Sequence, residues 1–296
     1  MKTRRHKVVH RRRTSKLCVA CESVNINKIV KTNKFIVSSW LKDTDYIASF
    51  IKNTPVKKQV QQHTNINLSV DLGKANANKY ILYFAALPSN FKIIRPSKLA
   101  YGNFKNKGVT KLNNDGKAIL KIKCPQCYSD DDGKNKKAET FYRHVHFCLA
   151  NKDNSGWNPT LYTKIVICDL SYFKMRNLHS KGSVVLINAL PCEYYAKDHI
   201  VNSYNLPLDK INKLSQHDLM LWMKEVIKQH YPKIHRKIIN KTLYPYEVPI
   251  VVYCAHNKCT ASNEVAKALL QKRFVNVSEY SGGMKEYNYM KASTRD

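Results

Sequence analysis

The hydrophobic pattern of the chain changes at about residue 66 and again at about residue 161, and these changes limit the folds open to it. Between residue 66 and about residue 160, apolar residues alternate with polar ones, which is typical of strands with one buried face. From about residue 161, short continuous apolar runs alternate with helical stretches, which is typical of buried parallel strands covered by helices. The sequence therefore predicts a small antiparallel β-sandwich over residues 66–160 and an α/β domain over residues 161–296.

Local patterns place the elements of the first part. We interpret four segments as strands, at residues 80–87, 108–122, 144–149 and 162–168. Within the second segment, Asn114-Asp115-Gly116 supplies residues that tolerate positive φ, so we expect a hairpin turn there. Upstream, Ile47, Phe50 and Ile51 recur near helical spacing, which predicts one short amphipathic helix within an adaptor or linker over residues 18–65.

Charge indicates the class of partner. The 296 residues include 51 Lys and Arg against 21 Asp and Glu, a net charge of +30, while a hydrophobic content of 43% is ordinary for a folded protein. This excess predicts attraction to nucleic acid or another polyanion. Residues 1–17 contain no acid and are expected to form a basic flexible arm, either binding nucleic acid or serving as a solvated tail. The candidate nucleic-acid contacts are Arg4, Arg5, Lys7, Arg11, Arg12 and Arg13.

The cysteine count and the apolar runs bear on the cellular setting. No apolar run approaches the roughly 20 residues that cross a bilayer, so we expect no membrane span. The basic N-terminus is followed by no apolar signal-peptide core. Nine cysteines, two Cys-x-x-Cys pairs among them, favour thiols in metal or redox chemistry over a disulfide framework. These features predict a reducing, intracellular location, such as the cytoplasm of a host.

A cysteine and histidine cluster in the predicted sandwich resembles a structural zinc site. Cys124 and Cys127 form a Cys-x-x-Cys knuckle, and strand alternation would place His144, His146 and Cys148 on one face. Four of these five residues can supply a tetrahedral set for Zn²⁺, the one cofactor that the sequence suggests. The alternative is that they are separate small core residues.

The α/β part contains a candidate catalytic thiol. A buried strand ends at Cys254, a polar loop carries His256, Lys258 and Cys259, and a helix begins near Ser262. Ligands bind beyond the carboxyl ends of parallel strands, and a helix N-terminus presents N–H groups that stabilise anions. We therefore predict a lowered pKa and a nucleophilic sulfur for Cys254, with the nearby cations contributing. The alternative is an inert core residue at the strand end.

Three motifs in this part resemble the rhodanese-like domain family, over about residues 165–290. They are residues 185–207, with Glu193, His199-Ile200 and Asn205-Leu206-Pro207, then Val251-Val-Tyr-Cys254, and then residues 274–287 with Gly282-Gly283. The resemblance implies that Cys254 carries a persulfide cradled by loop amides. It also implies transfer of sulfur from a sulfane donor to a thiol acceptor.

The chain departs from that family in three places. Asn188 and Leu190 stand where the family often has Asp and Arg, the loop after Cys254 is longer, and the arginine of related phosphatases is missing. Phosphatase activity is therefore not expected. Cys259 forms a Cys-x4-Cys pair with Cys254 and either resolves a persulfide or packs the loop.

Two functions follow from these observations. The first is a sulfurtransferase acting through Cys254, with a basic arm that binds nucleic acid. The second is a non-enzymatic structural or packaging protein that keeps the rhodanese fold as a scaffold and contacts nucleic acid through its charge. Composition and modular order also resemble proteins of giant DNA viruses, which suggests a virion as a second location.

Overall fold

The computed structural model describes residues 30–31, 44–88, 91–95, 97–129 and 140–293, and the statements below concern these residues. The basic arm predicted over residues 1–17 lies outside this range, together with its six candidate nucleic-acid contacts. Within the described residues, each helix is too short or too polar to cross a membrane.

The N-terminal region, up to residue 165, consists of one α-helix, nine strands and three short 3-10 helices among the described residues. In chain order the strands and the α-helix are β1 (Val30–Lys31), α1 (Thr44–Asn53), β2 (Ile66–Asp71), β3 (Tyr80–Ala85), β4 (Asn106–Lys111), β5 (Lys117–Ile122), β6 (Tyr128–Ser129), β7 (Thr140–Phe141), β8 (His144–Leu149) and β9 (Tyr162–Ile165). The predicted amphipathic helix is confirmed as α1, whose Ile47 and Ile51 are buried in the same core as Phe84 of β3.

Five of these strands form one antiparallel sheet in the order β1-β9-β8-β3-β4. Its second layer is a two-stranded ribbon of β2 and β5, and Val70 and Leu120 of the ribbon pack with Ile81 and Phe147 of the sheet. The predicted β structure is present, but the ribbon stands where a sandwich would have a second full sheet.

The turn at Asn114-Asp115-Gly116 forms, but it does not make the predicted hairpin. Gly116 has φ 75°, and its N–H donates to the Asn113 carbonyl at 3.0 Å. The strands on either side pair elsewhere, β4 with β3 and β5 with β2. A Cβ on Gly116 would lie 1.9 Å from the Gly73 carbonyl oxygen, so only glycine allows this close approach. The turn therefore leads the chain from the sheet into the ribbon.

The C-terminal domain, from residue 168, alternates strands and helices as predicted. Its elements are β10 (Cys168–Asp169), α2 (Tyr172–Ser180), β11 (Val185–Asn188), α3 (Cys192–Lys197), β12 (Tyr204–Asn205), α4 (Leu208–Lys213), α5 (Gln216–His230), α6 (Pro232–Ile239), β13 (Ile250–Tyr253), α7 (Ala261–Gln271), β14 (Val277–Tyr280) and α8 (Gly283–Ser293). The sheet is parallel throughout, in the order β10-β14-β13-β11-β12.

Apolar side chains cover both faces of this sheet, as expected for buried parallel strands. On one face Ile187 and Val252 pack with residues of α5 and α7. On the other face Leu186 and Val251 pack with Met175 of α2 and with residues of α8.

The N-terminal region and the C-terminal domain share buried contacts. The buried Arg143 guanidinium donates to the Val277 carbonyl at 2.9 Å and to the Asn276 side chain. The Tyr142 hydroxyl donates to the Leu270 carbonyl at 2.8 Å. These bonds hold the antiparallel sheet against the start of β14 and the end of α7, at the amino end of the parallel sheet.

Candidate active site

Cys254 directly follows β13, at the carboxyl end of a central strand of the parallel sheet. Its side chain is fully buried, with 0% exposure. The first turn of α8 fixes the start of the following loop, because the Met284 N–H donates to the Cys254 carbonyl and the Lys285 N–H to the Ala255 carbonyl, both at 2.9 Å. The predicted strand-end position of the thiol is therefore confirmed, while its sulfur is covered.

Oxygen atoms surround the sulfur. The Sγ atom of Cys254 lies 3.1 Å from the Ser262 hydroxyl, 3.5 Å from the Cys259 carbonyl and 3.7 Å from the His256 carbonyl. Carbonyl oxygens accept hydrogen bonds, so they favour a protonated thiol. The loop thus differs from the expected cradle of amides, although the Ser262 N–H at the start of α7 does favour the anion.

The predicted lowering of the pKa is wrong for this arrangement. Burial raises the pKa of Cys254, because a charged sulfur loses its solvation there. The hydroxyl and N–H of Ser262 lower this pKa, and the neighbouring Cys259 thiol raises it, but burial is the largest cause. A base is therefore needed to make this sulfur a nucleophile at neutral pH.

The structure brings three of the five predicted site residues together and leaves two apart. Cys254, Cys259 and Ser262 are in contact. His256 and Lys258 are exposed, and the Lys258 N–H donates to Nδ1 of His256 at 3.3 Å. Neither side chain is among the groups that shift the pKa of Cys254, so their expected support for the thiolate is not realised. The loop places both side chains in solvent, where charges act weakly.

One residue of the site was missed by the sequence analysis. The Ser262 hydroxyl donates to Oε1 of Glu279 at 2.6 Å, and the Asn263 amide donates to Oε2 of Glu279 at 3.0 Å. Glu279 belongs to β14, next to β13 in the sheet. A carboxylate inside a buried parallel strand was the signal that could have identified it.

Asn188, at the end of β11, replaces the acid that the family often has. Its Oδ1 accepts from the Leu190 N–H at 2.8 Å, which holds the turn that follows the strand. The neighbouring Tyr253 hydroxyl accepts from the Ile200 N–H at 3.0 Å and contacts Ser203 at 2.7 Å. Neutral hydrogen bonds therefore order this part of the site.

A cleft of about 820 Å³ lies beside the loop after Cys254. One wall comes from the carboxyl ends of three neighbouring parallel strands, through Asp169, His256 and Ser281. The N-terminal region supplies the opposite wall, which includes Cys124 and Arg143. Lys174 and Lys285 add positive charge to the lining. The cleft thus has the place in the sheet where α/β proteins bind ligands.

The predicted zinc ligands do not assemble. Cys124 forms a disulfide with Cys168 of β10, and the Cys127 thiol donates to the Val275 carbonyl at 3.2 Å. Within the described residues, no three His, Cys, Asp or Glu side chains come together in a way that could hold a metal ion. The disulfide also corrects the expectation that the cysteines serve metal or redox chemistry rather than cross-linking.

The histidines of β8 are instead part of a buried hydrogen-bond network. As predicted, His144, His146 and Cys148 share one face of the strand, while Val145 and Phe147 share the other. Nδ1 of His144 donates to the Tyr142 carbonyl at 2.6 Å, and its Nε2 lies 2.9 Å from the Tyr128 hydroxyl. Burial lowers the pKa of His144 to about 4, because a charged ring would lose its solvation there.

Comparison with known proteins agrees with this geometry. Residues 174–289 match the profile of the rhodanese-like domain, so this part of the chain is a rhodanese-like domain. No curated protein sequence matches the chain.

Several solved structures resemble part of the chain. An uncharacterized protein from Saccharomyces cerevisiae is 22% identical, over 44% of this chain and 98% of its own, with a TM-score of 0.31. A human single-domain sulfurtransferase is 15% identical, over 42% of this chain and 97% of its own, with a TM-score of 0.28. A single-domain sulfurtransferase from Saccharomyces cerevisiae is 15% identical, over 43% of this chain and 94% of its own, with a TM-score of 0.31.

Proposed function

We propose that the protein is a sulfurtransferase that forms a persulfide on Cys254. The observation that carries the proposal is the position of this thiol in a rhodanese-like domain, at the carboxyl end of β13 and 3.1 Å from the hydroxyl of Ser262 in α7. Sulfur is the nucleophile that such a site offers, and the N–H at the start of α7 favours its anion.

The reaction has two displacement steps. The Cys254 thiolate attacks the outer sulfur of a sulfane donor such as thiosulfate, a new S–S bond forms, the donor S–S bond breaks, and sulfite leaves with the bonding electrons. A thiolate acceptor then attacks the outer sulfur of the protonated persulfide. The product is an acceptor persulfide, and Cys254 leaves as the thiolate.

Access to the sulfur depends on the loop over it. Cys254 is fully buried, while His256 and Asn257 of the loop line the cleft. The donor therefore enters from the cleft and displaces the loop. The cleft lining has three cations, Arg143, Lys174 and Lys285, against the two carboxylates Asp169 and Glu286. This small positive excess favours an anionic donor, because opposite charge concentrates the ligand.

Incubation of the reduced protein with thiosulfate tests the proposal. We expect a sulfur adduct on Cys254 by mass spectrometry and thiocyanate formation when cyanide is added. Cys254→Ser abolishes both, whereas Cys192→Ser, a change at an exposed cysteine in α3, leaves both intact. The proposal is overturned if Cys254→Ser keeps full turnover, or if Cys192 and Cys259 take up sulfur while Cys254 does not.

A second candidate function, binding of nucleic acid, is supported by a groove along α2 that shares Ser171 and Lys174 with the cleft. The groove is about 850 Å³ in volume, and its lining includes no carboxylate. Its cations are Lys92, Lys174, Lys181 and Lys237, together with Arg95, whose charge is paired with Glu247. Phe173 also lines the groove and is 63% exposed, which offers a surface on which a base can stack.

Two separate features support this second function, the groove and the basic arm. Deletion of residues 1–17 is expected to weaken binding and to lower its salt dependence, because eight cations of the arm release counterions from phosphates. Unchanged affinity and salt dependence would identify the arm as a solvated tail. A protein that binds nucleic acid but forms no persulfide would fit the non-enzymatic packaging hypothesis, for which a virion remains a prediction.

A further inference from the structure

The buried thiol, the hydroxyl of Ser262 and the carboxylate of Glu279 form a continuous hydrogen-bonded chain. We propose that Glu279, acting through Ser262, takes the proton of Cys254 as its sulfur attacks. The inference rests on the proposed function, since it assigns the base for that same nucleophile. Glu279 does not touch Cys254 and serves as a relay residue.

While the thiol is protonated, the hydrogen bonds of this chain run in one direction. Ser262 has one hydroxyl proton, and it donates this proton to Oε1 of Glu279 at 2.6 Å. Toward Cys254, at 3.1 Å, the same oxygen can only accept. The hydroxyl is the nearest of the three oxygens around Sγ, ahead of the carbonyls of Cys259 and His256. When the thiol donates to the hydroxyl and the hydroxyl donates to the carboxylate, the chain has the polarity that proton transfer away from sulfur requires.

The relay is held rigidly by its surroundings. Ser262 is fully buried in the first turn of α7, and the Asn263 amide holds Oε2 of Glu279 at 3.0 Å. Glu279 itself is half-buried, so a proton received there can pass to water. In this way the chain connects a covered sulfur with the solvent.

Other charged groups near the pair do not supply an alternative base. Cys259 on the loop raises the pKa of Cys254, and His256 and Lys258 are exposed. Asp169 of β10, paired in register with Glu279, accepts from the N–H and hydroxyl of Ser281. On α8, Lys285 and Glu286 line the cleft.

The proposed step is balanced. The Sγ–H bond of Cys254 breaks as its proton moves to the Ser262 oxygen, and the original Ser262 proton moves to Oε1 of Glu279. The sulfur electron pair attacks the donor, and Glu279 ends neutral.

The rate of alkylation of Cys254 by iodoacetamide tests the relay without any sulfur donor. In the wild type, the site-resolved rate is expected to change little between about pH 6 and about pH 8, because the base assists attack. In Glu279→Gln, only the thiolate reacts, so the rate falls about tenfold for each unit of decreasing pH. Ser262→Ala interrupts the same hydrogen-bonded chain and should give the same slope of log rate against pH. This variant tests the relay even if Glu279→Gln does not fold.

The matched control is Glu264→Gln, one residue beyond Asn263 on α7. Glu264 is exposed and accepts from the Thr260 hydroxyl at 3.0 Å, so its loss leaves the pH profile as in the wild type. A Glu279→Gln profile identical to the wild type overturns the relay. A faster reaction of Glu279→Gln at neutral pH also overturns it, since Glu279 would then only repel the thiolate. If the pH profiles support the relay but the protein forms no persulfide, the proposed function is overturned and the relay is not.

Discussion

Arg95 and Glu247 form an ion pair that joins the N-terminal region to the C-terminal domain. One guanidinium nitrogen of Arg95 lies 2.6 Å from both carboxylate oxygens of Glu247, which is fully buried. The carboxylate also accepts from the Thr140 hydroxyl at 2.7 Å and from the Tyr244 N–H at 3.0 Å. Glu247 is therefore a buried charge whose cationic partner comes from the other part of the chain.

Removal of Arg95 is expected to destabilise the protein strongly. Arg95→Leu leaves Glu247 buried without a counter-charge, and breaking a buried ion pair in this way costs about 3–5 kcal/mol. Urea unfolding measures this loss. Lys117→Leu is the control, because Lys117 and Asp71 are exposed and lie 3.6 Å apart. Such surface pairs contribute less than about 1 kcal/mol, so equal losses in the two variants would contradict the interpretation.

Stability is expected to fall as the pH falls from about 6.5, where an unfolded histidine takes up its proton. The pKa of folded His144 is about 4, and that of His146 is also well below its usual value, because both rings are buried. Between these two pKa values the unfolded chain binds more protons than the folded one, so acid favours unfolding. The contribution of His144 is fully present above about pH 6.5 and is lost as the pH approaches 4.

Denaturant unfolding at two pH values measures this effect. Between about pH 7.5 and about pH 5, we expect a loss of about 2 kcal/mol from His144 alone. His144→Gln reduces this pH dependence, whereas His217→Gln, at an exposed position of α5, does not. A His144→Gln variant with the full wild-type pH dependence would assign the effect to other groups.

The sequence predicted what depends on local pattern and missed what depends on contacts between distant segments. Alternation in residues 144–149 correctly placed the two histidines on one face of β8, and the apolar run before Cys254 correctly indicated a central strand. The pairing of Cys124 with Cys168 joins residues 44 positions apart, which spacing motifs do not report. The role of Glu279 likewise appears only when β14 lies beside β13 and α7.

The disulfide is expected to contribute to stability. It closes a loop of 44 residues between β5 and β10, and the chain-entropy model gives about 4 kcal/mol for a loop of this size. Unfolding with and without reductant measures this difference, and Cys168→Ala should remove the effect of reductant. Cys192→Ser should keep it, because Cys192 is an exposed free thiol. Peptide mapping under non-reducing conditions that finds Cys124 free would contradict the assignment.

The role of Cys259 can be separated from that of Cys254. Its thiol adjoins Cys254 and its carbonyl lies 3.5 Å from the sulfur, so a persulfide on Cys254 forms within reach of it. If Cys259 resolves the persulfide, Cys259→Ser prolongs the lifetime of the adduct severalfold, as followed by mass spectrometry. An unchanged lifetime with a lowered unfolding temperature would identify a packing role.

The cationic groove beside α2 predicts a specific pattern of nucleic-acid binding. The triple change Lys174→Gln, Lys181→Gln and Lys237→Gln removes up to three phosphate contacts, so the slope of log affinity against log salt for a single strand should fall by about 2. Phe173→Ala should weaken binding by about 1–3 kcal/mol without changing the slope, because stacking releases no counterions. The control variant replaces three exposed lysines outside the groove with Gln and so removes the same amount of charge. These lysines are Lys57, Lys58 and Lys111. Fluorescence anisotropy with a labelled oligonucleotide measures all three variants. If the two triple variants lose the same affinity, binding depends on net charge alone and the groove has no special part in it.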